Sequence, residues 1–182
     1  ESLALPDNPF ARVARVEQLS LSGELALPED ELRAAALPAA QSRVRLCDAL
    51  TSAELALQEL YFERGYLDAQ VRIPWPADAV TPVVVGVEVA AGLPHVVGTI
   101  AFDQAAVPRA KRLDPKELRK RVAAFVVEGD AATMSAMQAA SAEVTRAFQQ
   151  GGLGPVEASV ERKEGPKRVR VDITYRLVGS EI

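Results

Sequence analysis

The sequence has 182 residues, of which 48% are hydrophobic and 25% charged, a balance that is typical of folded globular protein. Its formal net charge is -4, and an acidic chain lacks the basic field that phosphate contacts require, so we expect no nucleic-acid partner. No apolar run reaches the ~18 residues that a membrane-spanning helix needs. Because the chain begins at Glu1 rather than at methionine, we expect it to be a segment of a longer protein.

The first half of the chain opens with a predicted strand and two predicted helices. The strand is marked by three apolar residues, Val16, Leu19 and Leu21. A helix with proline near its start is expected over residues 28–37. Thr51 and Glu54 have the spacing of a capping box, which predicts that a second helix begins there.

Two strands are expected to complete this half. Gly65 is predicted to end the second helix with a positive φ, and Tyr66 then turns the chain into a strand. Apolar residues alternate along that strand, at Ala69, Val71, Ile73 and Trp75. Pro74 stops the strand or confines it to an edge because proline has no N–H to donate. The partner strand is expected over residues 82–90.

The second half predicts the same order of elements. Its first strand carries Val97, Ile100 and Phe102. A helix over residues 115–127 is expected to have Asp114 as its N-cap and a buried stripe of Leu118, Val122 and Phe125. The second helix keeps helical spacing at Met134, Met137, Ser141, Val144 and Phe148. Strands over 156–162 and 168–177 flank the turn sequence KEGPK.

Three markers recur at an offset of 86 residues and indicate an internal repeat. They are ELR at 31 and 117, Phe62 with Gly65 against Phe148 with Gly151, and the alternating strands 83–89 and 169–175. The pattern is β-α-α-β-β twice, with AAGLPHVVG between the copies. The fold class expected is α+β, each copy forming a three-stranded mixed sheet with two helices on one face.

The repeated unit resembles the polypeptide-transport-associated (POTRA) domain, most specifically in the first copy. The resemblance rests on the segments QLSLSGE and LQELYFERGYLDAQVRI and spans about residues 11–178. The matching positions are Leu19, Leu21, Gly23, Tyr61, Gly65, Tyr66, Ala69 and Val71. The second copy matches less well, because Gly151-Gly152 replaces Gly-Tyr.

The resemblance implies two POTRA-like domains, 1–93 and 94–182, each with sheet order 1-3-2. Such domains lie in the bacterial periplasm, amino-terminal to a membrane β-barrel, in outer-membrane assembly proteins and two-partner secretion transporters. The implied function is a scaffold and docking module, not an enzyme. The implied partners are unfolded outer-membrane proteins or secreted polypeptide, accessory assembly subunits and the downstream barrel of the same chain.

In this family the second strand lies at a sheet edge, and a free edge offers N–H and C=O groups to an extended peptide. The resemblance therefore nominates ten peptide-binding residues: Ala69, Gln70, Val71, Arg72, Ile73, Glu157, Ala158, Ser159, Val160 and Glu161. The alternative is that these edges are simply solvated, or blocked by Pro74.

A basic cluster is the other surface candidate, for an acidic partner or anionic lipid. It contains Arg109, Lys111, Arg112, Lys116, Arg119, Lys120 and Arg121. A solvated helix face is the simpler interpretation. Trp75 is either an interface anchor or part of its own core.

No pattern of catalytic, metal-ligating or cofactor-binding residues is present in the sequence. His95 is the only histidine, and we expect a structural or surface role for it. Two other functions remain open: a POTRA-like segment of another envelope machine, such as one for cell division, or an unrelated α+β ligand-binding domain. The first would be accompanied by a single membrane helix, and the second needs a pocket with convergent polar groups.

Overall fold

A computed structural model describes residues 16–42, 44–74 and 83–178 of the chain. They form two compact units. The first consists of the described residues up to 62 together with 68–92, and the second of 63–67 together with the described residues from 93 onward. Trp75 lies outside the described residues. Among the described residues, no helix is long and apolar enough to cross a membrane.

The described residues of the first unit form five elements in the order predicted. They are β1 (Val16–Glu24), α1 (Glu29–Ala40), α2 (Leu46–Glu63), β2 (Gln70–Arg72) and β3 (Val83–Ala90). The sheet order is β1-β3-β2, with β1 parallel and β2 antiparallel to the central strand β3. Side chains alternate across β3, so that Val85, Val87 and Val89 are buried beneath the helices while the residues between them face solvent.

The second unit repeats the same topology. Its elements are β4 (His95–Asp103), α3 (Pro115–Val122), α4 (Met134–Gln150), β5 (Val156–Glu164) and β6 (Val169–Leu177). The sheet order is β4-β6-β5, with the central strand β6 parallel to β4 and antiparallel to β5. Val144 and Phe148 of α4 pack with Ile173 and Tyr175 of β6 in the core. The predicted α+β class, mixed sheets and 1-3-2 order are confirmed.

Three predicted helix boundaries differ from those observed, and the first is the end of α1, which lies at Ala40 rather than at residue 37. The helix α2 begins at Leu46 rather than at Thr51, because Leu46, Ala49 and Leu50 extend its buried stripe towards the N terminus. The helix α3 has Asp114 as its N-cap, as predicted, but ends at Val122. The side chain of Phe125 is consequently 43% exposed instead of buried.

The segment between the two repeats is also shorter than predicted. The strand β4 begins at His95, so only residues 91–94 separate it from β3, and four of the nine residues of AAGLPHVVG belong to the second sheet. His95 itself is buried.

The two copies match at an offset of 87 residues, not 86, from the second helix into the second strand. Gly65 has φ +83, as predicted, and the glycine with positive φ in the second copy is Gly152, at +69, whereas Gly151 has φ -78. Four residues before each positive-φ glycine lies a fully buried aromatic ring, Tyr61 in α2 and Phe148 in α4. Tyr61, and not Phe62, is therefore the counterpart of Phe148.

Candidate functional site

The first predicted docking edge is shorter than expected. The strand β2 contains only Gln70–Arg72, and Ala69 and Ile73 flank it. Its register pairs Gln70 with Ala90 and Arg72 with Glu88 of β3. Backbone groups of successive strand residues point in opposite directions, so those of Ala69, Val71 and Ile73 are the ones at the free edge of the sheet.

Side chains of α2 occupy this free edge. The carboxamide of Gln58 donates from Nε2 to the carbonyl of Ala69 at 2.6 Å, and its Oε1 accepts from the N–H of Val71 at 3.2 Å. The carboxylate of Glu54 accepts from the N–H of Ile73 at 2.9 Å. The first edge is therefore hydrogen-bonded within its own domain.

The side chains of this segment leave no apolar surface for a peptide either. Ala69, Val71 and Ile73 are buried in the core, and only Gln70 and Arg72 face solvent. The five predicted residues do lie at a sheet edge, but Gln58 and Glu54 of α2 already bond to the backbone groups of that edge.

The second predicted edge is long and open. The N–H of Val178 donates to Pro155 at 2.9 Å, and the N–H of Gly165 donates to Arg168 at 3.0 Å. These bonds lie at the two ends of β5, so its odd-numbered residues face β6 and its even-numbered residues face outward. Within the described residues, no hydrogen bond engages the outward backbone groups of Ala158 and Val160.

The side chains of β5 divide into an apolar part and a polar face. Ala158 and Val160 are opposite Tyr175 and Ile173 on the helix side of the sheet, yet both are exposed, and Val160 is 47% exposed. The other face carries four polar residues, Glu157, Ser159, Glu161 and Lys163. The predicted residues of the second copy thus combine unpaired backbone with exposed apolar side chains.

Comparison with solved structures identifies the fold of the two β-α-α-β-β units. The chain is similar to POTRA3-5 of BamA from Haemophilus influenzae, with 20% identity, a TM-score of 0.57 and coverage of 90% of this chain and 61% of that chain. BamA from Haemophilus ducreyi lacking POTRA domains 1-3 gives 22% identity and a TM-score of 0.59, over 91% of this chain and 29% of that chain. POTRA1-2 of the periplasmic domain of Omp85 from Anabaena gives 14% and 0.52, over 92% and 97%. The fold is that of a POTRA domain, present twice.

The chain spans less than two thirds of the two BamA chains that it matches. No family profile matches the sequence, and no curated protein matches it. With identities of 14 to 22%, the likeness establishes the POTRA fold and leaves the function to be argued from the residues.

The polar face of the second POTRA sheet holds a network centred on Asp172. Its carboxylate accepts from Lys163 Nζ at 2.7 Å, from the N–H of Thr99 at 2.6 Å and from Arg170 Nε at 2.9 Å. These donors, Lys163 first, hold the pKa of Asp172 well below its usual range. The network joins β4, β5 and β6, so it fixes β5 from the side that is opposite to the helices.

The predicted basic cluster of the second POTRA domain contains two kinds of residue. Arg112 and Arg119 donate to backbone carbonyls of Val107 and Ile100 at 3.0 and 3.1 Å, and Arg121 donates to Gln150 at 3.1 Å. These three arginines hold local structure.

The other members of the cluster have no such role among the described residues. They are exposed and form no ion pair within the described ranges: Arg109, Lys111, Lys116 and Lys120. A short 3₁₀ turn, Arg109–Lys111, and the first two turns of α3 carry them.

The sequence did not identify Gln58 and Glu54 as edge-binding residues. Their spacing of four places both on one face of α2, and that spacing was the only signal available. The spacing of Glu54 from Thr51 indicates a capping box instead, and gives no sign that Glu54 bonds to the edge strand. Within the described ranges, no three His, Cys, Asp or Glu residues are grouped to hold a metal ion.

Proposed function

We propose that this chain is a periplasmic docking module of an outer-membrane protein assembly or secretion machine. In this proposal its second POTRA domain receives extended segments of unfolded outer-membrane or secreted polypeptide by strand addition along β5. The chain stands next to a membrane β-barrel in the full-length protein and cooperates with accessory assembly subunits. The POTRA fold, shared with BamA and with the periplasmic domain of Omp85, supports the setting.

The observation that carries the proposal is the unoccupied outer edge of β5. Its outward N–H and C=O groups at Ala158 and Val160 have no partner among the described residues. An added strand forms main-chain hydrogen bonds with such groups and therefore tolerates many sequences, which is what a receiver of diverse substrates requires. The exposed Ala158 and Val160 favour a segment whose alternate residues are apolar, and the polar face beside them favours polar residues in between.

The test is an amide chemical-shift titration of the whole chain with a ten-residue peptide in which valine and threonine alternate between terminal lysines. We expect shifts concentrated in the near half of β5, at residues 156–160. The matched control peptide carries N-methyl groups on every residue between its terminal lysines, so that neither of its edges offers these N–H donors. If both peptides produce the same shifts, the contact does not depend on backbone pairing and the proposal is wrong.

A substitution in β5 supplies the second test. The variant Ala158→Pro removes one outward N–H without removing a bond to β6, whereas Ala158→Thr keeps the donor and adds a β-branched side chain. We expect binding to weaken about 5- to 10-fold in Ala158→Pro, as loss of a hydrogen bond worth about 1 to 1.4 kcal/mol predicts, and to persist in Ala158→Thr. Equal affinities of the two variants would contradict strand addition.

A second surface function is supported by the four exposed cations without ion pairs. Anionic headgroups attract such residues, each contributing about 1 kcal/mol near a charged surface. We propose that Arg109, Lys111, Lys116 and Lys120 face anionic lipid or an acidic partner. Sedimentation with phosphatidylglycerol vesicles and with phosphatidylcholine vesicles tests this, and equal sedimentation in both would exclude a lipid-facing role.

A further inference from the structure

The side chain of Gln58 imitates a docked strand. A carboxamide offers one N–H donor and one C=O acceptor, as a backbone peptide group does. Gln58 presents both to β2 and its flank, one to Ala69 and the other to Val71. These are the groups that an added strand would use, so any peptide at this edge has to displace Gln58 first.

Glu54 extends the same arrangement by one position. It lies one helical turn before Gln58 and accepts from Ile73, the next N–H along the free edge. Both side chains are half-buried, and an intramolecular partner needs no association entropy to stay in place. The two side chains together engage three outward backbone groups of the first domain, the C=O of Ala69 and the N–H groups of Val71 and Ile73.

The second domain lacks this device. At the offset of 87 that aligns Tyr61 with Phe148, Ser141 takes the place of Glu54 and Thr145 takes the place of Gln58. The polar atoms of Ser and Thr lie two heavy atoms closer to the backbone than those of Gln and Glu. Within the described part of the chain, neither Ser141 nor Thr145 bonds to β5, and the outward groups of Ala158 and Val160 are left open.

We infer that Gln58 and Glu54 are a built-in competitor that closes the β2 edge of the first POTRA domain, so that β5 is the open one of the two predicted docking edges. The occupant excluded is the one proposed for β5, an extended polypeptide segment with alternating apolar residues. This inference rests on the proposed function for its consequence, although the closure itself can be tested without any ligand. Giving the first domain the residues of the second, Glu54→Ser with Gln58→Thr, opens its edge.

Hydrogen exchange measures the closure directly. In Gln58→Met, which keeps side-chain length but has no amide, exchange of the Val71 N–H should accelerate about 2- to 12-fold, the range expected for loss of one hydrogen bond. The Ile73 N–H, held by Glu54, should keep its rate. The control is Glu59→Ser, which changes an exposed residue of the same helix. Unchanged exchange at Val71 would overturn the inference.

Peptide titration then measures the consequence. With the alternating valine–threonine peptide, we expect the wild-type chain to shift only in β5 and the Glu54→Ser, Gln58→Thr variant to gain shifts over residues 69–73. Thermal melting verifies that the variant is folded, and Gln58→Thr alone carries the test if the double variant is not.

The outcomes separate this inference from the proposed function. Shifts at 69–73 in the wild-type chain, or none there in the opened variant, overturn the closure whatever β5 does. An absence of shifts in β5 with new shifts at 69–73 in the opened variant refutes docking at β5 and supports the closure.

Discussion

Gly23 near the end of β1 offers the sharpest test of how the first sheet is built. Its φ is +93, a backbone region that side chains rarely adopt, and it pairs with Val89 in the central strand. A Cβ added at this position would lie 2.2 Å from the carbonyl oxygen of Val89 and 3.2 Å from its nitrogen. The atoms in the way belong to backbone, so no side chain can rotate to relieve the contact.

The cost of Gly23→Ala follows from these two effects. A left-handed conformation costs a residue with a Cβ about 1–2 kcal/mol, and overpacking that moves backbone costs about 1–3 kcal/mol more. Val89 cannot move freely because it also pairs with Val71 on its other side. We therefore expect the first domain to lose about 2–5 kcal/mol, a large part of the 5–15 kcal/mol that is typical of a whole protein.

The matched control is Gly86→Ala, in the strand next to β1. No atom lies within 4 Å of a Cβ at Gly86, and its φ is not positive. Alanine should be neutral there or stabilise by up to about 1 kcal/mol, because glycine weakens a strand interior. Urea unfolding, followed at the amide peaks of Val85 and Val87, reports on the first domain alone. A difference between the two variants below about 0.5 kcal/mol would refute the reasoning.

Three further substitutions test the core, the polar face and the turn. Tyr61→Phe removes the hydrogen bond from the buried hydroxyl to the carbonyl of Leu25 and should cost about 0.5–1.5 kcal/mol in urea unfolding; no loss would mean that the bond adds nothing. Asp172, whose pKa is lowered chiefly by Lys163, stabilises the second domain above the unfolded pKa of about 3.9 and loses this effect as pH falls below it. Asp172→Asn should therefore lose less stability than wild type between about pH 5 and pH 2, and parallel losses would contradict this. Gly65→Val should destabilise by about 1 kcal/mol or more, and an unchanged urea midpoint would show that the positive φ is not required.

The repeated β-α-α-β-β order was predictable because each element carries its own local signal. Alternation in 83–89 and 169–175 gives the central strands, and both bury alternate residues as predicted. The end of α2 was predictable from Gly65, because only glycine adopts its conformation at low cost. The start of α2 was not, because Thr51 and Glu54 have capping spacing inside a helix that Leu46 already begins.

The candidate site was only half predictable. The strand-order rule of the POTRA resemblance placed residues 69–73 and 157–161 at sheet edges, and both segments are there. Whether an edge is open depends on whether side chains of a helix packed on the sheet reach the backbone groups of the edge strand. The distance between that helix and that strand cannot be read from a sequence pattern. Gln58 and Thr145 occupy equivalent helix positions, and their difference in length became meaningful only once the backbone placed them.

An open edge is a hazard, because any extended chain can pair with it, including another copy of the same protein. At its β2 edge, the first domain lowers this risk with Gln58 and Glu54. The second domain limits such pairing in another way. The C-terminal half of β5, its far half, carries Arg162 and Glu164 on the helix side of the strand. An apolar strand added there would have to cover these charges. Charges that point inwards at an edge oppose non-specific pairing, whereas Ala158 in the near half does not. The near half of β5, at Ala158 and Val160, carries no such charge on its helix side, so it is the part of the strand that an added apolar segment can cover without burying charge.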